Sequence, residues 1–475
     1  MPLWDPPAAA GAVDGNRDPL DQNSRMGWEW TAGGVAGQLV TAPPAGSTSR
    51  APWTITRVLG SSADERGAPL RLSAIRGGAI DDSPLDPPLV FPGSASFAII
   101  PDSLKNSTGS PLDSPVVRLA NAWSLQSFRI ISGDLPQPRP TLVSHRDVRD
   151  RLALFMPFFA QGRDIQPLLV GDTLFWAIDL YSVSDTYPLS RRAMLVGDER
   201  SYMHHAAVGV IQASTGDVTV VPDSILDPIA SSWVRRLPTL FGNWNALPLG
   251  LRAQISAPSD ALYAQAAAYG RYGSRTDSTI ATMRLPTLDG SDTSLTTADL
   301  PVILPATKTL SLIIPLVDES DRVRGLLIGA GGSAHLTMWY PLTTPGPRWS
   351  AVIDRLRSVD TVGGASREGA LAHGRIRAVP VRGDGGVGFI QPSYHWRPAP
   401  IPALNRVALL VGDTTRSVAP GALQGAAPTA PTTPSGASAA SLYDAMRDAM
   451  RRGDWTAFGR AFDALGRALG RAHTP

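Results

Sequence analysis

Leu174-Phe175-Trp176-Ala177-Ile178-Asp179-Leu180-Tyr181-Ser182-Val183-Ser184-Asp185-Thr186-Tyr187-Pro188 is the stretch on which the fold turns. Its first eight residues are apolar or aromatic except for Asp179, and they read as a buried strand. Gln166 to Val170 reads as a strand just before it. Ala206 to Gln212 and Val218 to Val221 read as two more, flanking the turn Ser214-Thr215-Gly216-Asp217. Strands that follow one another through turns, with no intervening helix, pair antiparallel.

Outward from this centre the same grammar recurs. Strand-like runs at Trp53 to Leu59, Leu70 to Ile75, Ala95 to Pro101 and Ser127 to Ser132 lie between Gly and Pro punctuation. A second β region covers Leu310 to Val317, Val323 to Ala330 and His335 to Tyr340. It continues at Arg375 to Val381, Gly386 to Gln391 and Arg406 to Val411. Helices are expected behind Ser114-Pro115, with Val116, Val117, Ala120 and Trp123 as the buried stripe, and from the N-cap Ser144 to Phe159. Further helices are expected at Ile225 to Phe241, Leu247 to Ile255, Ser259 to Tyr269 and Trp349 to Val359. The predicted fold class is α+β, with mainly antiparallel sheets, packed helices, and a C-terminal helical hairpin on a flexible linker. The expected organisation is an extended arm (1–50), an α+β body (51–418) that can divide into two lobes (51–270 and 300–418), a Pro/Ala/Thr linker (419–437) and a helical hairpin (438–475). Arg275 to Leu300 reads as a polar surface excursion.

Composition narrows the functions. The chain has 475 residues, 43% hydrophobic and 18% charged, with 45 Gly and 43 Pro. That is enough apolar content for a large core, and it excludes a disordered chain, a coiled coil or a collagen-like fibre. Lys105 and Lys308 are the two lysines, so 41 of the 43 basic residues are Arg, interleaved with Asp at a net charge of +2. No basic face stands out, so no nucleic-acid partner is expected. The absence of cysteine removes disulfides, Cys-ligated zinc and thiol catalysis. No apolar run reaches the ~20 residues of a membrane span, and Met1-Pro-Leu-Trp-Asp-Pro-Pro lacks the shape of a secretory signal.

Chemistry motifs are weak. Gly383-Asp384-Gly385-Gly386-Val387-Gly388 has the GxGxxG spacing but is followed by strand-like Phe389-Ile390-Gln391, so a glycine-rich hairpin is expected rather than a dinucleotide site. Gly329-Ala330-Gly331-Gly332-Ser333 fails as a nucleophile elbow because His335 stands where GxSxG needs glycine. None of the seven histidines has a metal-motif spacing. His204 and His205 are adjacent and point to opposite faces of a strand, so no metal and no cofactor is expected. The densest polar–aromatic cluster is Asp179, Tyr181, Ser184, Asp185 and Tyr187. It reads either as a ligand or ion site built from two carboxylates and two phenols, or as a structural corner whose Asp side chains bond turn amides.

At this cluster the chain resembles uncharacterised protein family 0182, large bacterial multi-pass membrane proteins of unknown function. Leu169 to Ser190 is similar to that family's V-x-D-G-x-x-x-W-x-x-D-x-Y-T-x-S-D-x-Y-P-Y-S run, with Gly171-Asp172 in swapped order and Leu189 for the second Tyr. Leu3-Trp4-Asp5-Pro6, Gly216-Asp217-Val218-Thr219, Leu251-Arg252-Ala253-Gln254, Pro402-Ala403-Leu404-Asn405-Arg406-Val407 and Gly453-Asp454-Trp455 fall in the family's order. The resemblance covers the non-membrane, extracytoplasmic half only. It implies a place at the cell membrane on the extracytoplasmic side, with a membrane-embedded half or envelope proteins as partners, and no agreed activity. The reading favoured is a binding or scaffold role without catalysis. The alternative is an envelope hydrolase using the carboxylate pair Asp179 and Asp185, which requires the two about 5–10 Å apart.

Overall fold

The structure, a computed structural model, describes residues 29–31, 34–41, 54–60, 71–76, 79–84, 89–92, 97–101, 109–132, 135, 139–170, 173–272, 283–284, 302–304, 309–333, 335–342, 346–361, 371–381, 386–395 and 403–419. Between residues 29 and 84 this description is of the backbone. The chain divides into two compact units, Met1–Pro420 and Gly421–Pro475. All described residues lie in the first, so the expected helical hairpin, and the linker beyond its first residue, lie outside them.

Among the described residues every pairing between strands is antiparallel, as the turn-linked strands predict, and a single isolated bridge, Val220 with Phe241, is parallel. The first sheet is a meander of β1 (Glu29–Thr31), β2 (Gly34–Thr41), β3 (Thr54–Gly60), β4 (Arg71–Arg76) and β5 (Ala79–Pro84). Strands therefore begin inside the stretch read as an extended arm, because β1 and β2 pair with each other and then with β3. Next come β6 (Phe97–Pro101), β7 (Ser110–Pro111) and β8 (Pro140–Ser144), with β8 in the middle.

The central sheet has the order β14-β13-β10-β9, from β9 (Ala160–Val170), β10 (Thr173–Ser184), β13 (Tyr202–Gln212) and β14 (Val218–Pro222). A small hairpin, β11 (Ala193–Leu195) and β12 (Asp198–Arg200), decorates the connection between β10 and β13. Gly216 takes φ +78° in the turn joining β13 to β14, a conformation that glycine adopts without steric cost.

A further sheet holds β15 (Met283–Arg284), β16 (Val302–Ile303), β17 (Leu310–Asp318), β18 (Val323–Ala330) and β19 (Thr337–Pro341). Met283 is buried, so part of the polar stretch read as a surface excursion adds a strand edge. The last sheet comprises β20 (Leu371–His373), β21 (Arg377–Val381), β22 (Gly386–His395), β23 (Ala403–Val411) and β24 (Thr414–Val418). The glycine-rich segment thus opens a strand at Gly386, as expected of a hairpin and not of a nucleotide loop.

β10 is buried on both faces. Leu174, Trp176, Ile178 and Leu180 pack on one side with Val148, Leu152 and Ala230. Ala177 lies on the other, with Val208, Val210, Leu247 and Ile255. Trp176 is fully buried and donates its indole N–H to the Val90 carbonyl at 2.9 Å. The helix Ser259–Tyr272 then packs against β9 and β13 on one side and β17 and β18 on the other. Asp260, buried in its first turn, accepts from the Arg163 backbone N–H at 2.7 Å and pairs with the Arg163 guanidinium, fixing the helix to β9. The helix Trp349–Thr361 buries Trp349, Val352, Ile353 and Leu356, one face at helical spacing, against the last sheet.

Three local expectations are corrected. Ser127 to Ser132 is not a strand but leads into the short helix Arg129–Ser132, because Gln126 at φ +50° turns the chain out of the preceding helix. Ser144 ends β8, and Asp147 instead caps the helix Val148–Phe155, accepting from the Arg149 and Asp150 N–H groups. In the helix Pro115–Ser124 the stripe Val116, Val117, Ala120 and Trp123 is exposed and Ala122 is the buried residue. Among the described residues no helix is long and apolar enough to cross a membrane.

Candidate functional site

Asp179 sits in the middle of β10, only 5% exposed. A carboxylate there needs partners, since an isolated buried charge costs several kcal/mol. It finds one across the sheet. The pairing of β10 with β13 shifts register between Leu180 and Tyr181, a bulge that sets Tyr181 opposite His205. Asp179 Oδ1 then lies 3.0 Å from His205 Nε2, and the Tyr181 ring meets the imidazole edge-on at 5.3 Å.

The other ring nitrogen of His205 faces a second acid. Asp223 follows β14 directly, its N–H donating to the Ala206 carbonyl at 3.0 Å. Its Oδ2 lies 2.8 Å from His205 Nδ1. Burial opposes a charge on His205, but the hydrogen bonds to Asp179 and Asp223 outweigh it and push the pKa up to about 9. At neutral pH the imidazolium donates from both nitrogens, one to each carboxylate.

A fourth side chain comes from a distant loop. After β18 the chain turns through Gly331 and Gly332. A Cβ at Gly331 would stand 2.5 Å from the Ile255 carbonyl oxygen and 2.7 Å from that of Leu310, so only glycine permits this approach. The Ser333 carbonyl accepts from the Ser224 N–H at 2.7 Å, tying the loop to the residue after Asp223. His335, at φ +42°, lays its ring 4.3 Å from that of His205, with Nε2 3.3 Å from Asp223 Oδ1. Burial, and then the neighbouring His205 cation, push the His335 pKa down to about 4. It is neutral at pH 7, so its contact with Asp223 is not an ion pair there.

Below this cluster a further carboxylate is satisfied separately. Asp227 caps the helix Pro228–Arg236 by accepting from the Ala230 N–H at 2.9 Å. It also accepts from Ser182 Oγ at 3.0 Å and from the Tyr202 hydroxyl at 2.9 Å. Burial, then the bond to Asp227, raise the Tyr202 pKa and keep the phenol protonated.

The five residues singled out from the sequence separate into two groups. Asp179 and Tyr181 meet at His205. Burial, helped by Asp179, raises the Tyr181 pKa well above the ordinary phenol value. Ser184, Asp185 and Tyr187 lie in the exit turn. Ser184 Oγ accepts from the Thr186 N–H, Tyr187 stacks on Tyr202 at 5.2 Å, and Asp185 is exposed without a hydrogen bond to the described residues. Asp179 and Ser184 are five positions apart along the strand, a span of roughly 16 Å at ~3.3 Å per residue. Asp179 and Asp185 therefore do not form a carboxylate pair across a cleft. His205, Asp223, Asp227 and His335 were not among the residues singled out, and all four bear on the buried polar groups.

Chemically, the arrangement is not a nucleophilic triad. There one imidazole nitrogen is held by a carboxylate while the other faces a hydroxyl. Here both nitrogens of His205 face carboxylates. The arrangement can hold a charge or an ion in a dry interior.

Residues 101–279 match the model of an uncharacterised protein family, UPF0182. The chain is 28% identical to a UPF0182 protein of Synechococcus sp. (strain JA-3-3Ab) over 170 residues, 36% of this chain and 20% of that one. It is 27% identical to one of Moorella thermoacetica over 158 residues, 33% of this chain and 17% of that one. It is 24% identical to one of Clavibacter sepedonicus over 280 residues, 58% of this chain and 28% of that one. The match thus spans only 17–28% of these relatives' length. No solved structure matches the chain. The segment that the family model matches, 101–279, contains Asp179, Tyr181, His205, Asp223 and Asp227, and His335 lies beyond it.

Proposed function

We propose that this chain is the extracytoplasmic part of a bacterial cell-envelope protein, with a binding or scaffold role and no catalysis of its own. The observation that carries the non-catalytic part is the closure of the polar cluster. Asp179, His205 and Asp223 are each buried, and their hydrogen-bonding capacity is directed at one another. An acid/base pair needs a reacting group within hydrogen-bond reach of substrate, and these carboxylates are turned to a buried imidazole. Placement outside the cytoplasm rests on the resemblance of the non-membrane half, with a membrane-embedded half or other envelope proteins as the partners it would serve.

Protease accessibility in the source cells tests the placement. Cleavage of the chain by an added protease once the outer layers are permeabilised, with a cytoplasmic marker intact, is the expected result. Protection until the cells are lysed would overturn it. The hydrolase reading makes the opposite demand on the side chains. Under it, Asp185→Ala abolishes an activity without changing stability.

A further inference from the structure

Asp223 brings two histidines from separate segments to one point. Its Oδ2 faces His205 Nδ1 at 2.8 Å and its Oδ1 faces His335 Nε2 at 3.3 Å. One ligand atom from each of the three residues lies within 4.8 Å of the other two. Two bonds of about 2.0–2.2 Å from zinc to nitrogen and oxygen, at a near-tetrahedral angle, place the ligand atoms on the order of 3.3 Å apart. The Asp223–His335 spacing is of that size, the Asp223–His205 spacing of 2.8 Å is that of the hydrogen bond a metal would replace, and 4.8 Å bounds the rest.

Two further observations point to a ligand here. The His335 side chain is 1% exposed, yet among the described residues neither ring nitrogen has a hydrogen-bond partner of good geometry. A buried imidazole in that state is uncommon. It is also held at a left-handed backbone angle that a non-glycine residue seldom takes, on a loop pinned by Ser333 to Ser224. On the far side of His205, Asp179 binds Nε2. That is the carboxylate–histidine pairing by which proteins orient an imidazole toward a metal.

We propose that His205 Nδ1, a carboxylate oxygen of Asp223 and His335 Nε2 form a site for a divalent transition-metal ion, Zn2+ fitting the donor set best, with Asp179 as a positioning residue for His205. Two imidazoles and one carboxylate suit zinc, whereas Ca2+ and Mg2+ take oxygen donors. Binding replaces the proton on His205 Nδ1, which leaves to solvent, while the proton on Nε2 stays there and is donated to the Asp179 carboxylate. Zn2+ with two carboxylates and two neutral imidazoles then sums to no net charge. The free cluster instead carries one imidazolium against two carboxylates. The assignment does not depend on where the chain resides or on what it binds at its surface.

The test uses the 475-residue chain stripped with chelator and dialysed against Zn2+ alone, with bound metal counted by mass spectrometry. One Zn2+ per chain is expected. His335→Asn, which accommodates the left-handed backbone, should weaken binding at least tenfold. Asp179→Asn should weaken it roughly 10–100-fold through the misoriented imidazole. His145→Asn replaces an exposed histidine, also at positive φ, and should bind as the unaltered chain does. No retained Zn2+ on the unaltered chain, or His335→Asn binding equally tightly, overturns the proposal. Should His335→Asn fail to fold, X-ray absorption of the zinc-loaded unaltered chain decides. Two imidazole nitrogens at ~2.0–2.1 Å are expected, and fewer than two overturns it.

Discussion

The helix pair at 115–132 and the strand pair β10–β13 depart from ordinary burial in opposite directions. The helices expose apolar side chains, with Trp123 at 85% and Phe128 at 83% exposure. The strands bury charge, with Asp179 and His205 inside a two-sided core. The energetic weights differ. A folded protein's surface is more than half apolar, so an exposed tryptophan needs no compensation. A buried carboxylate without a partner is unaffordable, so each one dictates its surroundings. The strands are accordingly constrained residue by residue, through His205, Asp223 and the loop of His335. The helices are held by few contacts: the buried Ala122 and Ile130, the Ser114 cap at Val116, and the Arg118 bond to the Leu112 carbonyl.

This contrast breaks most sharply at His205. Removing it as His205→Ala leaves two buried carboxylates facing a void. Loss of one partner of a buried charge pair costs about 3–5 kcal/mol. Urea unfolding of the chelator-treated chain should show that loss. A change below about 1 kcal/mol would mean that the pair is not stabilising as described.

The pH response sharpens the comparison further. In the metal-free chain His205 has a folded pKa of about 9, above its unfolded value near 6.5. Its contribution is full below pH ~6.5 and is lost as pH rises through 9. His335 titrates at about 4 in the fold, so its contribution is full above pH ~6.5 and is lost as pH falls through 4. The groups facing them are Asp179, Asp223 and Tyr181, and the Tyr181 phenol stays neutral across this range. The urea midpoint should therefore peak between about pH 6 and 7. In His205→Ala the alkaline decline should shrink. An unchanged alkaline limb would assign it to other groups.

Smaller effects follow at the edges. Asp227→Ala removes a helix cap and strands the Ser182 and Tyr202 hydroxyls. It should cost about 1–2 kcal/mol in the same unfolding assay, and no change would contradict the capping geometry. Trp123→Ser, on the exposed helix face, should move stability by less than about 0.5 kcal/mol. A large loss would mean that the helix pair is packed more tightly than its exposure indicates.

The antiparallel α+β architecture was legible because it is local. The hairpin at 214–217, the strand Val323–Ala330 and the helix starting at Trp349 are each written in a short window of period and punctuation. Asp179 was legible as a buried acid in need of a partner, since it interrupts an apolar strand. The partner was not. A 17-residue connection between β10 and β13 leaves their register unspecified by any turn type. The His204–His205 pair showed that one ring alone could face a given side, but nothing local ties it to Asp223 or to His335, 130 residues away. The glycine turn before His335 fails as a nucleophile elbow, yet its tight approach to Ile255 is what delivers that histidine. The apolar stripe at Val116 to Trp123 misled because helical periodicity identifies a face without supplying anything to cover it.

The most direct test sets the two carboxylates of the motif side by side in denaturant melts of the metal-free chain. Asp179→Asn should lower stability by about 1–3 kcal/mol, because His205 loses its charged acceptor in a dry interior. Asp185→Ala should stay within about 0.5 kcal/mol of the unaltered chain, because Asp185 is exposed and makes no hydrogen bond to the described residues. Equal melting of all three proteins would contradict the central claim that Asp179 belongs to a buried charge cluster while Asp185 does not.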